Sequence, residues 1–410
     1  MNGMTDTDIL IVGGGLAGLS AAARFARMGL QVHLVDPAPR DLPTGQVDQR
    51  STAILQPGIT TLDRAGIWPA LSEIGTELEG LRIIEAEPPG TDPVETEFTA
   101  SEAPGGRFGV NLPNGPFRTA LIEQLEQDDL VTLSFRSHVT GMLADDHQAR
   151  IEIEDQDGTS TTLSAQLIIA ADGRDSSLRE QAGIGHRRWS FDQDAVVLTV
   201  RHDVSHRNVS TEIHANGGPL TFVPVAGDGT DQLSAIVWMR PADRAEELMR
   251  LSDEALIAEL QAESLGLFGQ ISDPSSRASW PMIGQIAHKL HAPRLALIAE
   301  TAHVIPPIGA QGLNMSLDDI ETLAGLIETA QAQGKDIAAP SLLRKYSLCQ
   351  LPKTALRIGS VDGLNRIAKI TSGPIPHIRR AGVSLLDKLP PLRQLAMRTG
   401  LTGSPFGRIR

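Results

Sequence analysis

The residues of most chemical interest lie in the stretch 295–326, LALIAETAHVIPPIGAQGLNMSLDDIETLAGL. Its apolar start predicts a buried strand that stops at the acid Glu300. The prolines at 306–307 then impose extended backbone, and Gly309 and Gly312 permit tight turns before an apolar helical repeat begins. The free N–H groups and the positive dipole end of a helix start stabilise an anion. This stretch therefore predicts a site for a flat, electron-rich group that carries negative charge.

The opening segment has the pattern of a dinucleotide-binding unit. An apolar strand over residues 8–12 leads into GGGLAG, a helical repeat and a second strand that ends at Asp36. In this context Gly13 makes the tight turn, Gly15 lets the backbone approach a pyrophosphate, and Gly18 lets helix and strand pack closely. Asp36 is placed to accept hydrogen bonds from ribose hydroxyls. The pattern alone does not distinguish NAD from FAD. Because the sequence has no second GxGxxG, our hypothesis is FAD, with its reduced N1–C2=O edge at the helix start described above.

Three further charged side chains are candidates for the nucleotide or substrate site, and each has an ordinary alternative. Arg50 follows a glycine-containing loop, 44–46, and either faces a ligand or forms a surface ion pair. Arg118 stands at a predicted helix start, where a cation is unfavourable unless it binds an anion; the alternative is a solvated arginine. Asp172 ends a buried strand and either accepts from a ribose or caps the next helix.

The order of the predicted elements describes an α/β protein with a discontinuous nucleotide lobe. Residues 186–240 alternate apolar and polar side chains, with turn signals at 215–218 and 227–230, which predicts an inserted antiparallel sheet. A C-terminal helical segment follows. The predicted bounds are 1–70, 107–185 and 281–345 for the nucleotide lobe, 71–106 and 186–280 for the substrate lobe, and 346–410 for the helical tail.

Three apolar side chains of the predicted antiparallel sheet are candidates for contact with a substrate. Phe222, Pro224 and Trp238 lie on two neighbouring predicted strands, where they would line an apolar cavity. The alternative is that each of them packs inside the core of the substrate lobe.

Composition and charge exclude several classes of protein. The 410 residues carry a formal net charge of -14, which argues against a nucleic-acid partner. The single cysteine, Cys349, excludes a disulfide framework and a CxxC pair, and the 11 histidines show no HExxH spacing, so we expect no metal site. The first residues lack the features of a signal peptide, and no run of about 18 apolar residues occurs. We therefore expect a cytoplasmic protein.

The tail differs in charge from the rest of the chain. Residues 351–410 hold 11 Lys/Arg and two acids, a net charge of +9, so the remainder carries -23. Residues 375–400 mix basic and apolar side chains, and Pro390-Pro391 divides them into two short predicted helices. Such a surface either rests on anionic lipid, at the inner face of a membrane, or docks on the acidic body or on a partner subunit.

Three motifs carry a resemblance to a known family. GGGLAG, AADGRDSSLR and HVIPPIGAQGLNMSLDDIETLA together resemble the class A FAD-dependent aromatic hydroxylases, which share the para-hydroxybenzoate hydroxylase fold. The closer similarity is to their ubiquinone-biosynthesis branch and its AHxxxPxxGQGxNxGxxDxxxL pattern. DQRSTAILQPGITTLDRAGIW, GGPLTFVPVAG, LNRIAKI and LDKLPPLRQLAM extend this similarity over essentially the whole chain.

The resemblance implies a Rossmann-type, GR2-like FAD-binding domain and a monooxygenase that hydroxylates the ring of a polyprenylated phenol in ubiquinone biosynthesis. Reduced FAD and O2 would act through a flavin C4a-hydroperoxide, with NAD(P)H or a ferredoxin as electron donor and no protein nucleophile. The residues that match family cofactor positions are Gly13, Gly15, Ala17, Gly18, Asp36, Arg50, Arg118, Asp172, Glu300, Gly309, Gly312, Leu313 and Asn314. The residues that the resemblance places near the chemistry are Arg50, His303, Pro306 and Gly309.

The sequence departs from the family pattern at two positions. Glu300 stands where the family usually has Asp, and Ala310 separates Gly309 from Gln311, which changes the GQG-type spacing. His303 lies beside the flavin loop, as a base or, in the interpretation we favour, as a structural hydrogen-bonding residue.

Other interpretations of the same fold remain open. The chain could hydroxylate another small aromatic substrate, or it could be a non-catalytic FAD-binding scaffold within a ubiquinone-synthesis complex. A halogenase of this class would carry W-x-W-x-I-P, and none of the four tryptophans sits in such a motif. A homo-oligomer is compatible with the sequence.

Overall fold

The computed structural model describes residues 6–397 except 44–47, 49, 87–89, 104, 227–231, 371–372, 390 and 392. The glycine-containing loop at 44–46, the predicted turn at 227–230 and Pro390 therefore lie outside the described residues. The predicted α/β class is confirmed by a chain that combines a largely parallel sheet, a largely antiparallel sheet and a helical C-terminal part.

An eight-stranded sheet forms the centre of the first lobe, with five parallel strands in the order β19-β11-β1-β2-β8. Its strands are β1 (Thr7–Val12), β2 (Val32–Asp36), β8 (Val131–Phe135), β9 (Ser137–Ala144), β10 (Ala149–Asp155), β11 (Ser160–Ala170), β18 (His291–Ala292) and β19 (Leu295–Leu297). Strand β1 is buried along nearly its whole length, as expected for a parallel strand covered on both faces.

The second lobe is built on a nine-stranded sheet in the order β20-β17-β12-β15-β14-β13-β5-β6, with β16 on β12. Its strands are β5 (Gly80–Glu85), β6 (Val94–Thr99), β12 (His186–His202), β13 (Val209–Ala215), β14 (Gly218–Pro224), β15 (Leu233–Pro241), β16 (Ile271–Ser272), β17 (Ala278–Ala287) and β20 (His303–Val304). The sheet is antiparallel as predicted except that β5 and β13 run parallel. These two strands come from separate chain segments, so no hairpin constrains their direction.

A small sheet of three strands, in the order β3-β7-β4, contacts both lobes. Its strands are β3 (Ser51–Leu55), β4 (Thr76–Leu78) and β7 (Gly109–Pro113). The helices are α1 (Leu16–Ala26), α2 (Gln56–Arg64), α3 (Trp68–Ser72), α4 (Asn114–Leu125), α5 (Ser177–Gln181), α6 (Ala242–Arg250), α7 (Asp253–Glu263), α8 (Ala299–Ala302), α9 (Gln311–Ala332), α10 (Pro340–Ala368) and α11 (Ile375–Lys388).

Two glycines make the turn between β1 and α1 possible. Gly13 has a φ of 114°, and a Cβ there would lie 2.2 Å from the carbonyl oxygen of Ala171, the residue after β11. A Cβ on Gly18 would lie 1.9 Å from the carbonyl oxygen of Gly13. Helix α1 therefore packs against the loop that precedes it at a distance that only glycine allows.

The C-terminal part docks on the second lobe. Arg379 of α11 forms a buried ion pair with Glu85 of β5, at 2.7 Å between Nε and Oε2. Arg393 pairs with Glu102, and apolar side chains of the same segment pack against β5 and β6. Within the described residues, no helix combines the length and the apolar character needed to cross a membrane.

Candidate active site

Helix α1 begins in open space at the carboxyl end of the parallel sheet. Its N-cap, Gly15, contributes no side-chain cap, and no atom lies within 4 Å of the position that a Cβ would take. Asp36 at the end of β2 accepts from the backbone N–H of Gly14 and, at 2.7 Å, from that of Ala38. Within the described residues the first N–H groups of this helix have no side-chain cap, and they face the opening, where an anion would be stabilised. Ala17 lies half-buried in the first turn.

Arg118 lies beside Asp36 at the same edge of the sheet. Its guanidinium donates to the carbonyl oxygens of Arg40 and Pro39, at 2.5 and 3.1 Å, and stacks over the Phe135 ring. Burial lowers the pKa of Arg118, and the nearby Asp36 carboxylate opposes that shift. The structure thus places a half-buried cation beside Asp36, and its contact with FAD stays a prediction.

Asp172 and Glu300 follow β11 and β19, which are neighbours in the sheet. Asp172 accepts from Thr301 Oγ1 at 3.1 Å and from the backbone N–H of Leu178 at 3.2 Å, so it caps α5 and fixes the adjoining loop. Glu300 pairs with Arg174 at 3.1 Å and remains half exposed. The longer acid at position 300 therefore reaches the solvent side of this edge, where it can accept from hydroxyl groups.

The loop from β20 to α9 forms a second open helix start. Pro306 is buried, and its carbonyl oxygen accepts from the N–H of Ile308 at 2.8 Å. Gly309 and Ala310 both adopt left-handed backbone, and the helix begins at the next residue with no side-chain cap. No atom lies within 4 Å of a Cβ on Gly312. The helix therefore begins at Gln311, between the two glycines of the loop.

The side chain of Asn314 ties this helix start to the three-stranded sheet. Its Oδ1 accepts from the N–H of Leu55 at 2.9 Å, while Nδ2 donates to the carbonyl oxygens of Ala53 and Ala310. The amide is thus fully used within the protein, so the part of Asn314 that could face a cofactor is its backbone. Leu313 is half-buried and packs on the main core.

His303, a candidate base, is turned into the interior. Its side chain is 2% exposed, and Nε2 lies 2.6 Å from Oδ2 of Asp319, which is completely buried. Asp319 also accepts from the N–H of Ala299 at 3.1 Å and from Nε2 of Gln350 at 2.9 Å. The imidazole therefore positions the loop through a buried carboxylate. Sequence reasoning missed Asp319, although it lies in the LDD that follows the glycines of the loop.

Arg50 connects the two lobes. Its guanidinium forms an ion pair with Asp48 at 2.7 Å and lies 4.5 Å over the centre of the Trp280 ring, on β17 of the second lobe. Burial alone would raise the pKa of Asp48, but hydrogen bonds from Arg50 and Asn114 hold this pKa below its usual value. Arg50 therefore forms the ion pair of the ordinary alternative and also contacts the second lobe, while contact with a ligand stays a prediction. Trp280 was not anticipated.

Phe222 and Trp238 do not lie on the side of the nine-stranded sheet where a substrate could meet the loop. Both are fully buried in the cluster formed with α6 and α7, and Trp238 Nε1 donates to Glu263 at 3.1 Å. The proposed cavity lining is therefore corrected for these two residues. The prediction selected the correct strands. Because side chains alternate along a strand, however, the two residues point to the opposite face of the sheet. Pro224 ends β14, where its carbonyl oxygen accepts from Asn111 of β7 at 2.8 Å.

The opposite face of the sheet is the one that meets the loop. Thr221, Val223 and Val237 lie on this face and are half-buried. Ile305 and Ile308 of the loop pack in the same cluster as Val237. Together these side chains form what we call the slot: an apolar strip of sheet beside the start of α9.

The residues present fit FAD. Two helix starts without side-chain caps, with open space at Gly15 and Gly312, offer N–H groups for a pyrophosphate and for the pyrimidine edge of a flavin. The slot adjoins the second helix start and offers an apolar surface for an aromatic ring. Among the described residues, no group of three or more His, Cys, Asp or Glu side chains could hold a metal ion.

Comparison with known proteins agrees with this arrangement. A family model described as an FAD binding domain matches residues 6–353. The chain is similar to the ubiquinone hydroxylase UbiL of Rhodospirillum rubrum, with 32% identity over 95% of this chain and 88% of the relative. It is also similar to the 3-demethoxyubiquinol 3-hydroxylase of Escherichia coli, with 25% identity over 96% and 98% of the two chains.

Among solved structures, the p-nitrophenol 4-monooxygenase PnpA of Pseudomonas putida DLL-E4 superposes with a TM-score of 0.79. The two proteins share 18% identity, and the match covers 99% of each chain. At this level of identity the likeness concerns the fold.

A pair of glycine substitutions separates cofactor binding from folding. Gly15→Leu would fill the open space at the start of α1, so we expect FAD affinity to fall at least about 100-fold, or about 2.7 kcal/mol, with little change in unfolding stability. Gly18→Ala would push a Cβ into the Gly13 carbonyl oxygen and should cost about 2 kcal/mol or more of stability. FAD titration by fluorescence and urea unfolding measure the two effects. Unchanged FAD affinity in Gly15→Leu would contradict the assignment.

Proposed function

The chain belongs to the FAD-binding family that includes the ubiquinone hydroxylases, and on this premise we propose that it hydroxylates the ring of a polyprenylated phenol in ubiquinone biosynthesis. It is an FAD-dependent aromatic-ring monooxygenase. The observation that carries the substrate proposal is the slot, which is apolar and adjoins the start of α9. Similarity to UbiL along nearly the whole chain supports the same substrate class.

The residues of the chain hold and orient the reactants. Bound FAD, once reduced, supplies the activation of O2 that lets one oxygen atom pass to an electron-rich ring. The start of α1 would hold the pyrophosphate, and the uncapped start of α9 would stabilise negative charge on the reduced ring. Ile305 and Ile308, with the buried Pro306 between them, would exclude water from the ring's reacting edge.

The electron donor is a separate part of the proposal. The sequence contains a single GxGxxG, so we infer that NAD(P)H or a ferredoxin reaches the flavin without a second nucleotide domain. Anaerobic mixing of the purified flavoprotein with NADPH, NADH or reduced ferredoxin would identify the donor by the bleaching of the flavin absorbance.

A deletion strain tests the function. Cells that lack the gene should accumulate a polyprenylated phenol whose mass is lower than the next quinone precursor by one ring oxygen, and the intact gene should restore the quinone. Mass spectrometry of lipid extracts measures both. Unchanged quinone with no accumulated precursor would refute the proposal. The Gly15→Leu variant, which would not bind FAD, is the second complementation. If this variant also restores the quinone, the result would instead support a non-catalytic scaffold.

We also propose that the protein is cytoplasmic and rests on the inner face of the membrane through its C-terminal helices. Arg379 and Arg393 are already paired with acids of the body, so docking on the body accounts for part of the tail's charge. The same helices nevertheless present large apolar side chains to solvent. These are Leu356, Leu364, Ile367, Ile370, Ile378, Leu385, Leu389 and Leu395. An apolar strip of this kind beside basic residues suits a lipid surface, where a polyprenyl substrate resides.

Flotation with liposomes tests the membrane proposal. Ile378→Glu combined with Leu385→Glu places two charges on the exposed strip, because these side chains are 62% and 45% exposed, and should abolish flotation with phosphatidylglycerol-containing vesicles. The matched control is Leu143→Glu on the first lobe, where the side chain is 74% exposed; it should float like the unchanged protein. If the double variant and the unchanged protein float equally, or neither floats, the strip does not bind lipid.

A further inference from the structure

Four buried ionisable side chains lie together where α11 docks on the second lobe, outside the cofactor site. Nε2 of His214 lies 2.6 Å from Oε1 of Glu212, and both side chains are 10% exposed. Arg379 and Glu85 form a bidentate pair with distances of 2.7 and 3.0 Å, and their side chains are 9% and 2% exposed. Burying charges is costly unless they are paired, so a cluster of this kind needs a reason.

Strand register places Glu212 on the face of the sheet that carries the slot. Glu212 lies opposite Thr221, and Thr221 lies opposite Val237. Two strand spacings separate Glu212 from Val237, which is about 10 Å. Val237 packs with the loop that precedes α9. A ring laid across Thr221 would therefore have the start of α9 at one end and the Glu212 carboxylate at the other.

The charges of the cluster balance when His214 is protonated. Burial alone would lower the pKa of His214, but Glu212 and Glu85 raise it above its ordinary value, while Arg379 opposes them. The imidazolium form of His214 is therefore favoured more than in a free histidine. Within the part of the chain that the structure describes, Oε2 of Glu212 accepts no hydrogen bond, while Oε1 is used by His214. One carboxylate oxygen is thus available to a ligand.

We propose that Glu212 is a catalytic residue that accepts the phenolic proton of the ring, with His214, Glu85 and Arg379 as positioning residues. The O–H bond of the phenol breaks, the proton passes to Oε2 of Glu212, and the electron pair stays on the phenolic oxygen. The His214 imidazolium then balances the negative charge of the phenolate. A phenolate is more electron-rich than a phenol and accepts an oxygen atom more readily. This inference rests on the proposed function, because it requires a phenolic substrate.

A chromogenic phenol tests the proton transfer without turnover. The probe is 2-prenyl-4-nitrophenol, whose phenolate is yellow, and the flavin is kept oxidised without an electron donor so that no hydroxylation occurs. Bound to the FAD-loaded full-length protein, it should ionise at lower pH than in water. Glu212→Gln should reduce the bound phenolate about tenfold at fixed pH. His214→Gln, which keeps a hydrogen bond to Glu212 but not the charge, should cause a smaller reduction.

Turnover of 2-geranylphenol supplies the second measurement. Glu212→Gln should lower kcat about 100-fold with little change in KM, and a ring-fluorinated, more acidic analogue should recover much of the loss. If Glu212→Gln does not fold, Glu212→Asp is measured in its place. Because it retains a base, it should keep the pH profile of the unchanged protein. The matched control is Glu95→Gln on the exposed edge strand β6, where the side chain is 54% exposed; it should behave like the unchanged protein.

The outcomes of this test and of the functional proposal differ. If Glu212→Gln ionises the nitrophenol as the unchanged protein does, or loses activity equally on both geranylphenols, the inference is overturned. If the unchanged protein binds and ionises the nitrophenol but hydroxylates neither geranylphenol, the proposed substrate class fails while the proton acceptor stands.

Discussion

The buried carboxylate of Asp319 is the interaction on which the site depends. It accepts hydrogen bonds from the N–H of Ala299, from His303 and from Gln350, and it is completely removed from solvent. These partners belong to α8, β20 and α10, while Asp319 itself lies on α9. The loop between β20 and α9 is therefore fixed at both ends by one group. Removing one partner of such a buried pair typically costs about 3–5 kcal/mol.

This anchoring explains how two lobes of different construction share one cleft. The first lobe contributes two helix starts whose N–H groups are open to a ligand, one at Gly15 and one after Ala310. The second lobe contributes the slot, a strip of sheet that is apolar at its centre. Arg50 crosses between the lobes by pairing with Asp48 and stacking on Trp280. The C-terminal helices close the far side through Arg379 and Glu85, which adjoin the ionisable end of the slot.

Local patterns in the sequence were sufficient to predict the fold class and the glycine turn at the start of α1. The turn at Gly13 and the packing of Gly18 follow from a strand, a glycine loop and a helix that are contiguous in the chain. The sequence did not predict which face of the nine-stranded sheet meets the first lobe. A period of two shows that side chains alternate between the faces, but it does not show which face is which. Phe222 and Trp238 were misplaced for this reason. Asp319, Trp280 and the pair of Glu212 with His214 depend on contacts between distant segments, which no local pattern reports. Contacts with FAD and the bounds of the lobes stay predictions.

The most direct measurement of the central claim is the behaviour of bound FAD in Asp319→Asn. If Asp319 shapes the loop that presents the start of α9 to the flavin, the variant should bind FAD about tenfold more weakly, or about 1.4 kcal/mol. Its bound flavin should also have a more negative midpoint potential, because a misplaced helix start stabilises the reduced, anionic ring less well. Titration and spectroelectrochemistry measure both quantities. A variant that loses unfolding stability but keeps the FAD affinity and potential of the unchanged protein would contradict the account.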